Sequence, residues 1–371
     1  MVVLVDEYDK PILDNMEDPA RAREIRDGLR NLYSVIKAQD AHLHFGLLTG
    51  VSEFSRVSLF AGLNNLKDIT LDSRFATLCG HTQAELETVF AGYLHGVDMT
   101  EMRRWYNGYN FLGERVYNPF DVLLYLDNRR FRNYWFETGT PRFLVELMRR
   151  RGFPAPRLEN LEVTDRLLGS FEVEELTPET LLFQAGYLTI LEERAMPGAE
   201  AYRLGFPNQA VRQSLTDHYR GVLSRAGSRQ DEHKLALYRA LEADEPAALE
   251  GLFRAFFAAI PHDWYRKNRL AGYEGYYASI VYCYFAALGV EVIAGEASHH
   301  GRIDLAVRMP GRVWSIEFKV SETDTAGAAL SQIRQRGYAA RYAGQRVSLI
   351  GVVFSPEARN VVGFAWERRG D

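Results

Sequence analysis

Three charged residues on two short apolar runs carry the densest chemical signal in the chain. Asp304 lies in Gly301-Arg302-Ile303-Asp304-Leu305-Ala306-Val307, and Glu317 and Lys319 lie in Val313-Trp314-Ser315-Ile316-Glu317-Phe318-Lys319-Val320. Side chains alternate along a strand, so Ile303, Leu305 and Val307 share one face and Asp304 takes the other with Ala306. In the second run Trp314, Ile316, Phe318 and Val320 share a face, which leaves Glu317 and Lys319 opposite. If Pro310-Gly311 is a two-residue hairpin loop, Met309 pairs with Arg312 and, further along the same ladder, Asp304 pairs with Glu317. Directly opposed Cβ atoms are roughly 4.5–5.5 Å apart, a distance at which like charges repel unless something neutralises them. A hard divalent cation, Mg²⁺ or Mn²⁺, does so with one or two carboxylates, water and a substrate phosphate. Lys319 would then orient or polarise a water on the metal. The alternative is a solvated strand face with ordinary charges; the apolar opposite faces and the in-register acids weigh against it.

Two helices are expected to position this hairpin. Tyr273 to Leu288 places Tyr277, Ile280, Val281, Tyr284 and Leu288 at helical spacing, with Glu274 in the first turn and Gly289 as the stop. Thr325 to Tyr342 reads as a second helix whose packing face is Ala326, Leu330, Ile333 and Gly337, with Gln332 off that face. Taken singly, Glu274 and Gln332 look like surface residues, and their order is the stronger signal. Helix with Glu, strand with Asp, strand with Glu-x-Lys, helix with Gln resembles the PD-(D/E)XK nuclease superfamily, in the form carried at the C-terminus of AAA-ATPase-like proteins. The resemblance implies that Asp304 and Glu317 bind metal, that Lys319 assists the attacking water, and that Glu274 and Gln332 support the site. Ile303 stands where the superfamily's name has Pro, a position the family fills loosely.

The chain opens on Val2-Val3-Leu4-Val5-Asp6-Glu7, an apolar run ending in acids. It reads as a buried parallel strand that delivers carboxylates at its carboxyl end. It resembles a Walker B strand, which implies an Asp6 that supports Mg²⁺ and a Glu7 that polarises water. A helix with Ile25, Leu29, Leu32, Tyr33 and Ile36 at helical spacing follows, and Phe45 to Gly50 reads as the next buried strand. Thr49 falls where AAA-type ATPases carry a polar sensor. A phosphate loop requires Gly-x-x-x-x-Gly-Lys-Ser/Thr, and the chain contains no Gly-Lys pair. Asp6, Glu7 and Thr49 therefore read as a vestigial ATP site, with the preceding strands and loop expected to be missing and negligible ATP hydrolysis expected.

Several further stretches resemble the AAA-ATPase-like signature: Thr49-Gly50-Val51-Ser52, Ser58 to Thr70, Trp105 to Phe111, Val116 to Phe120, and Gln184 to Thr189. Glu53 departs from the basic residue expected after Val51-Ser52. Thr82-x-x-Glu85 is a capping box that opens a helix through Phe90. The aromatic clusters at Trp105, Tyr106, Tyr109, Phe111 and at Tyr134, Trp135, Phe136 read as packing core. Helical periodicity dominates from Thr82 to about Leu167, and short strands between Leu182 and Leu204 suggest a winged-helix-like unit.

At 371 residues, 47% hydrophobic and 25% charged, the chain has room for two or three cores. Cys79 and Cys283 lie far apart without metal-ligand spacing, so neither a disulfide framework nor a zinc site is expected. No leader or membrane-spanning run is evident, and a cytoplasmic protein is expected. Formal net charge is −5, yet from His262 onward 14 Lys and Arg stand against 11 Asp and Glu, with 30 against 38 before it. A local phosphate-binding groove is compatible with that asymmetry.

The resulting expectation is an α/β chain of three segments. Residues 1–72 form a partial P-loop AAA-type segment, 73–227 a helical and winged-helix-like region, and 228–371 a restriction-endonuclease-like PD-(D/E)XK domain with a helical lead-in, joined at a hinge near Gly227-Ser228-Arg229. The expected activity is Mg²⁺- or Mn²⁺-dependent phosphodiester hydrolysis, with DNA as the nucleic-acid partner and self-association or an upstream ATPase partner as further possibilities. A catalytically idle binding module, or a truncated product of a regulated NTPase, would each account for the same residues.

Overall fold

The computed structural model describes residues 1–15, 18–51, 66–135, 144, 147–148, 151, 153–168, 177–223, 229–260, 274–298, 301–323, 325–335, 342 and 344–369. Contacts divide the chain into two compact units, Met1–Tyr134 with Leu161–Asn208, and Trp135–Asn160 with Gln209–Asp371.

The first unit begins with β1 (Val2–Val5), α1 (Lys10–Leu13), α2 (Pro19–Ala38) and β2 (Phe45–Leu48). The strands pair in parallel and in register, from Val2 with Phe45 to Val5 with Leu48. Asp18 caps α2 by accepting from the backbone N–H groups of Ala20 and Arg21, and Pro19 supplies the preset φ of a first helical residue. Leu29, Tyr33 and Ile36 of α2 pack against Val5, Tyr8 and Leu48, as their spacing predicts. The expectation of buried strands does not hold: Val2, Leu4 and Phe45 are 56%, 68% and 52% exposed, and Leu32 is exposed as well. Among the described residues one helix packs on one face of the two-stranded sheet, and Val2, Leu4 and Phe45 lie outside it.

Next come α3 (Gln83–Val89), α4 (Met99–Tyr106), β3 (Asn107–Tyr109), β4 (Val116–Tyr117) and α5 (Pro119–Asn128). The capping box at Thr82 and Glu85 is formed in both directions. The helical run expected from Thr82 to Leu167 is broken at Gly108, where φ is +131° and an added Cβ would come within 1.9 Å of the Pro207 carbonyl oxygen. Of the aromatics expected in the core, Tyr106 and Tyr134 are buried, Trp105, Tyr109, Phe111 and Trp135 are half-buried and Phe136 lies outside the described residues, while the rings of the buried Tyr125 and of Phe131 stack 4.3 Å apart. The unit closes with β5 (Leu161–Thr164), α6 (Asp165–Leu168), α7 (Pro178–Gln184), β6 (Thr189–Met196) and β7 (Ala199–Gly205), whose strands form an antiparallel sheet in the order β5-β7-β6.

The second unit holds α8 (Gln209–Leu223), α9 (Arg229–Glu242), α10 (Pro246–Ala258) and α11 (Glu274–Ala286) ahead of a five-stranded sheet. Its strands are β8 (Glu291–Ser298), β9 (Gly301–Met309), β10 (Arg312–Val320), β11 (Arg346–Ser355) and β12 (Asn360–Arg369), with α12 (Ala326–Gln335) joining β10 to β11. The order is β12-β11-β10-β9-β8, parallel between β10 and β11 and antiparallel at the other three pairings. A parallel pair needs a crossover, and α12 supplies it. Residues 209–223, read from sequence as part of the middle segment, group with this sheet because α8 packs on α11. Residues 227 and 228 of the expected hinge lie outside the described residues.

Candidate active site

The hairpin forms with the register expected from its loop. Met309 pairs with Arg312, and the ladder continues through Val307 with Trp314 to Leu305 with Ile316. Asp304 and Glu317 are the next residues on the two strands, but the ladder ends at Leu305 with Ile316, so the expected Asp304–Glu317 pair is not part of it. Gly311 adopts φ +73°, the left-handed conformation that a tight two-residue loop demands.

Both faces of the sheet are covered. On one, Phe318 and Phe354 pack beneath α11 and α10, with the Tyr277 and Phe354 rings stacked 4.5 Å apart and Phe257 at 4.8 Å from Phe354. On the other, Ala306, Val313, Val347 and Leu349 pack against Leu330 and Ile333 of α12. Strand alternation places Ser315 and Glu317 on this second face with Val313, and Asp304 with Ala306. The solvated-face alternative is thereby excluded for Glu317, which is 2% exposed beside a fully buried Ser315.

The sequence shows how a helix comes so close. Glu317 pairs laterally with Gly351 of β11, and a Cβ on Gly351 would meet the Ala326 carbonyl oxygen at 2.6 Å and the Leu330 nitrogen at 2.8 Å. Glycine at this one position lets the backbone of α12 rest on the sheet next to the carboxylate. Thr325 fixes the start of the helix, its Oγ1 accepting from the Ala328 N–H at 3.2 Å. Behind the sheet α11 is tied down by polar contacts: Ser279 Oγ accepts from the Ala155 N–H at 3.0 Å, the Tyr282 hydroxyl donates to Glu159, and Arg212 pairs with Glu159 at 2.9 Å. Burial and the Glu159 carboxylate hold the Tyr282 hydroxyl well above its ordinary range.

Lys319 lies two residues beyond Glu317 on the same strand and is half-buried. Gln332 is half-buried on α12 beside Ile333, and among the described contacts it makes none with Glu317 or Lys319. Glu274 is the first residue of α11 and Asp304 lies within β9, but their side chains, like Gly337, lie outside the described residues. Among the described residues no group of three or more His, Cys, Asp or Glu side chains forms a metal cage. The donors available at the hairpin are carboxylate oxygens, which suit a hard cation that keeps water and phosphate ligands. A carboxylate buried to this degree is costly unless positive charge or hydrogen bonds lie close by. Oxygen donors of this kind fit a divalent metal ion.

The acids at the other end of the chain are arranged differently. Thr49 Oγ1 donates to Asp6, Glu7 adopts φ +52°, and all three of these residues are exposed. The residue overlooked in the sequence is Asp9, fully buried and accepting from the Val51 N–H at 3.1 Å. A Cβ on Gly50 would strike Asp9 and the Tyr8 ring at 2.6 Å, so a glycine following Thr49 was the available signal. Asp121 was also overlooked. It is fully buried in the first turn of α5 with no hydrogen bond to either carboxylate oxygen, and burial pushes its carboxyl up to about 7.

Comparison with known proteins agrees with this division. Residues 272–364 match the family model of the PD-(D/E)XK nuclease superfamily, and residues 1–60 match the AAA-ATPase-like family, described as a predicted AAA-ATPase. The uncharacterized protein of the vnfD 5' region of Azotobacter chroococcum mcd 1 is 52% identical over 380 residues, which take in all of this chain and 72% of that protein. No solved structure matches. No helix among the described residues is long and apolar enough to cross a membrane. The chain belongs to the same family as the Azotobacter chroococcum protein, with an AAA-ATPase-like N-terminal portion and a C-terminal domain of the PD-(D/E)XK nuclease superfamily.

Proposed function

We propose that the C-terminal domain is a metal-dependent nuclease that hydrolyses phosphodiester bonds, with DNA as substrate. The observation that carries the reading is the buried Glu317, one residue beyond the Leu305–Ile316 step that ends the hairpin ladder and two residues before Lys319, on a sheet face that α12 covers. Asp304 and Glu317 would hold Mg²⁺ or Mn²⁺. When bound, such an ion lowers the pKa of a coordinated water and neutralises charge that builds on the phosphate.

The rest of the chemistry falls to the chain. Lys319 keeps a mobile ammonium at the half-buried end of the strand, where it can donate to the attacking water or to a phosphate oxygen. Glu317 is held rigid by packing on both sides of its strand, so its carboxylate needs no reorganisation when substrate arrives. Glu274, the first residue of α11, and Gln332, within α12, are assigned supporting roles. In the N-terminal portion Asp6, Glu7 and Thr49 form a vestigial nucleotide site, and negligible ATP turnover is expected from this chain; turnover abolished by Glu7→Gln would refute that.

The test is cleavage of linear, circular and single-stranded DNA in the presence of Mg²⁺ or Mn²⁺ by wild type, Asp304→Ala and Glu317→Ala. Cutting by wild type alone supports the assignment. Full cutting by both variants overturns it. DNA binding without cutting by any form favours an idle module.

A further inference from the structure

The first unit holds a buried polar cluster that the nuclease chemistry does not use. Asp121 lies in the first turn of α5, where the positive end of a helix favours its charged form. Yet it is fully buried, and among the described residues neither carboxylate oxygen makes a hydrogen bond. Beside it in β3 stands Tyr109, whose hydroxyl is buried with no hydrogen bond of ordinary length; burial and the Asp121 charge hold it well above its usual range. Two residues earlier on that strand, the Asn107 side-chain oxygen is buried and makes no hydrogen bond either. We infer that these oxygens bind a monovalent alkali cation, sodium or potassium, which ties β3 to the first turn of α5.

Tyr106 shows what a satisfied group looks like in the same place. Its hydroxyl also feels the Asp121 charge, but it accepts from the Arg132 N–H at 3.1 Å and donates to the Arg132 carbonyl at 3.0 Å. The two oxygens of Asp121 and those of Asn107 and Tyr109 have no such arrangement. A buried polar group without a partner costs free energy, and a buried charge costs far more. One water offers its two protons to these oxygens and leaves the carboxylate charge in place. A cation takes lone pairs from all of them and cancels that charge. Carboxylate, amide and phenol oxygens suit a hard ion, and one carboxylate balances one positive charge, whereas a divalent ion would leave a buried charge unmatched. Burial alone favours a proton on Asp121, pushing its carboxyl up to about 7, and the ion is the alternative occupant of the same oxygens. The donors are held in place by their surroundings. Gly108, between Asn107 and Tyr109, approaches the Pro207 carbonyl too closely for a Cβ, and the Asn110 N–H donates to Thr189 Oγ1 at 2.8 Å. On the other side Asn118 Oδ1 caps α5 by accepting from the N–H groups of Phe120 and Asp121, and its side chain lies near the Tyr109 hydroxyl.

The experiment is thermal unfolding of the full chain at pH 8 in sodium, potassium or tetramethylammonium chloride at one ionic strength, the last ion being too large for a buried site. Sodium or potassium at about five times its Kd should raise the melting temperature by about 2–4 °C over tetramethylammonium, with saturation as the salts are exchanged. Asp121→Asn keeps the shape, removes the charge and should abolish the difference. Tyr109→Phe removes one oxygen and should demand several-fold more salt for the same rise, which keeps the test open if Asp121→Asn does not fold. Crystals grown with thallium(I) should show anomalous density beside the Asp121 carboxylate. Equal melting in the three salts would mean that a water or a proton suffices, and overturns the proposal. A rise with Mg²⁺ or Ca²⁺ alone, or a salt response unchanged in both variants, overturns it equally.

Discussion

Two parallel strand pairs of this protein, β10 with β11 and β1 with β2, each carry acidic residues beside or beyond an apolar run, and they hold them in opposite ways. Around β10 and β11, helices cover both faces and Glu317 is 2% exposed. Around β1 and β2, one helix covers one face, and Asp6 and Glu7 are exposed where the first strand ends. The local sequences are alike, so the fate of the carboxylate is decided by how many layers surround the sheet. Burial makes a carboxylate responsive to a nearby cation, because charges interact far more strongly away from water. An exposed pair has no such leverage.

This contrast can be broken most severely at Glu317. Glu317→Ala or Asp304→Ala should lower cleavage by about 10²–10³-fold or more, with metal binding by calorimetry lost in parallel. Intact metal binding in Glu317→Ala would detach burial from function. A third carboxylate sharpens the comparison, since Asp121 is buried and its ordinary value of 3.8 is raised to about 7 by burial alone. Its neutral form is the one folding favours, so its stabilising contribution is full below about pH 4 and lost as pH rises toward 7, by about 4 kcal/mol in all. Denaturant titrations at intervals from pH 4 to 8 should show that slope in wild type and its removal in Asp121→Asn.

Smaller effects test how the covering layer works. Gly351→Ala pushes a methyl into the backbone of α12 and should cost about 1–3 kcal/mol, reducing cleavage as Glu317 loses its cover. An unchanged melting curve would mean that the helix can shift freely. Gln332→Ala should reduce activity by about 10–100-fold without changing stability, as removal of a supporting group does. At the other sheet, Leu4→Asp should change the stability of this chain by less than about 0.5 kcal/mol.

Much of the candidate hairpin was legible because its signals are local. Pro310-Gly311 fixes the loop, the loop fixes the register, and alternation then assigns each side chain to a face. The cover over Glu317 was not legible, because Ser315, Glu317 and Lys319 read as a polar face; what buries it is Gly351, distant in sequence, which admits α12. The same limit applied in reverse at the N-terminus, where Val2-Val3-Leu4-Val5 reads as buried and half of it is exposed. Apolar composition records the environment a strand is suited to, and the neighbours present decide the one it has. Asp9 and Asp121 escaped notice because each is one acid within a run of ordinary residues, and only tertiary packing removes it from water.

The parallel pairing of β10 with β11 also sets an order of assembly. The β9–β10 hairpin closes through a two-residue loop, an event on the scale of about 1–10 μs. Pairing Arg312 with Arg346 must wait for the whole α12 crossover to form and dock. The strands bearing Asp304 and Glu317 thus meet early in folding, still open to water, and the carboxylate is sealed only when the slower long-range contact is made.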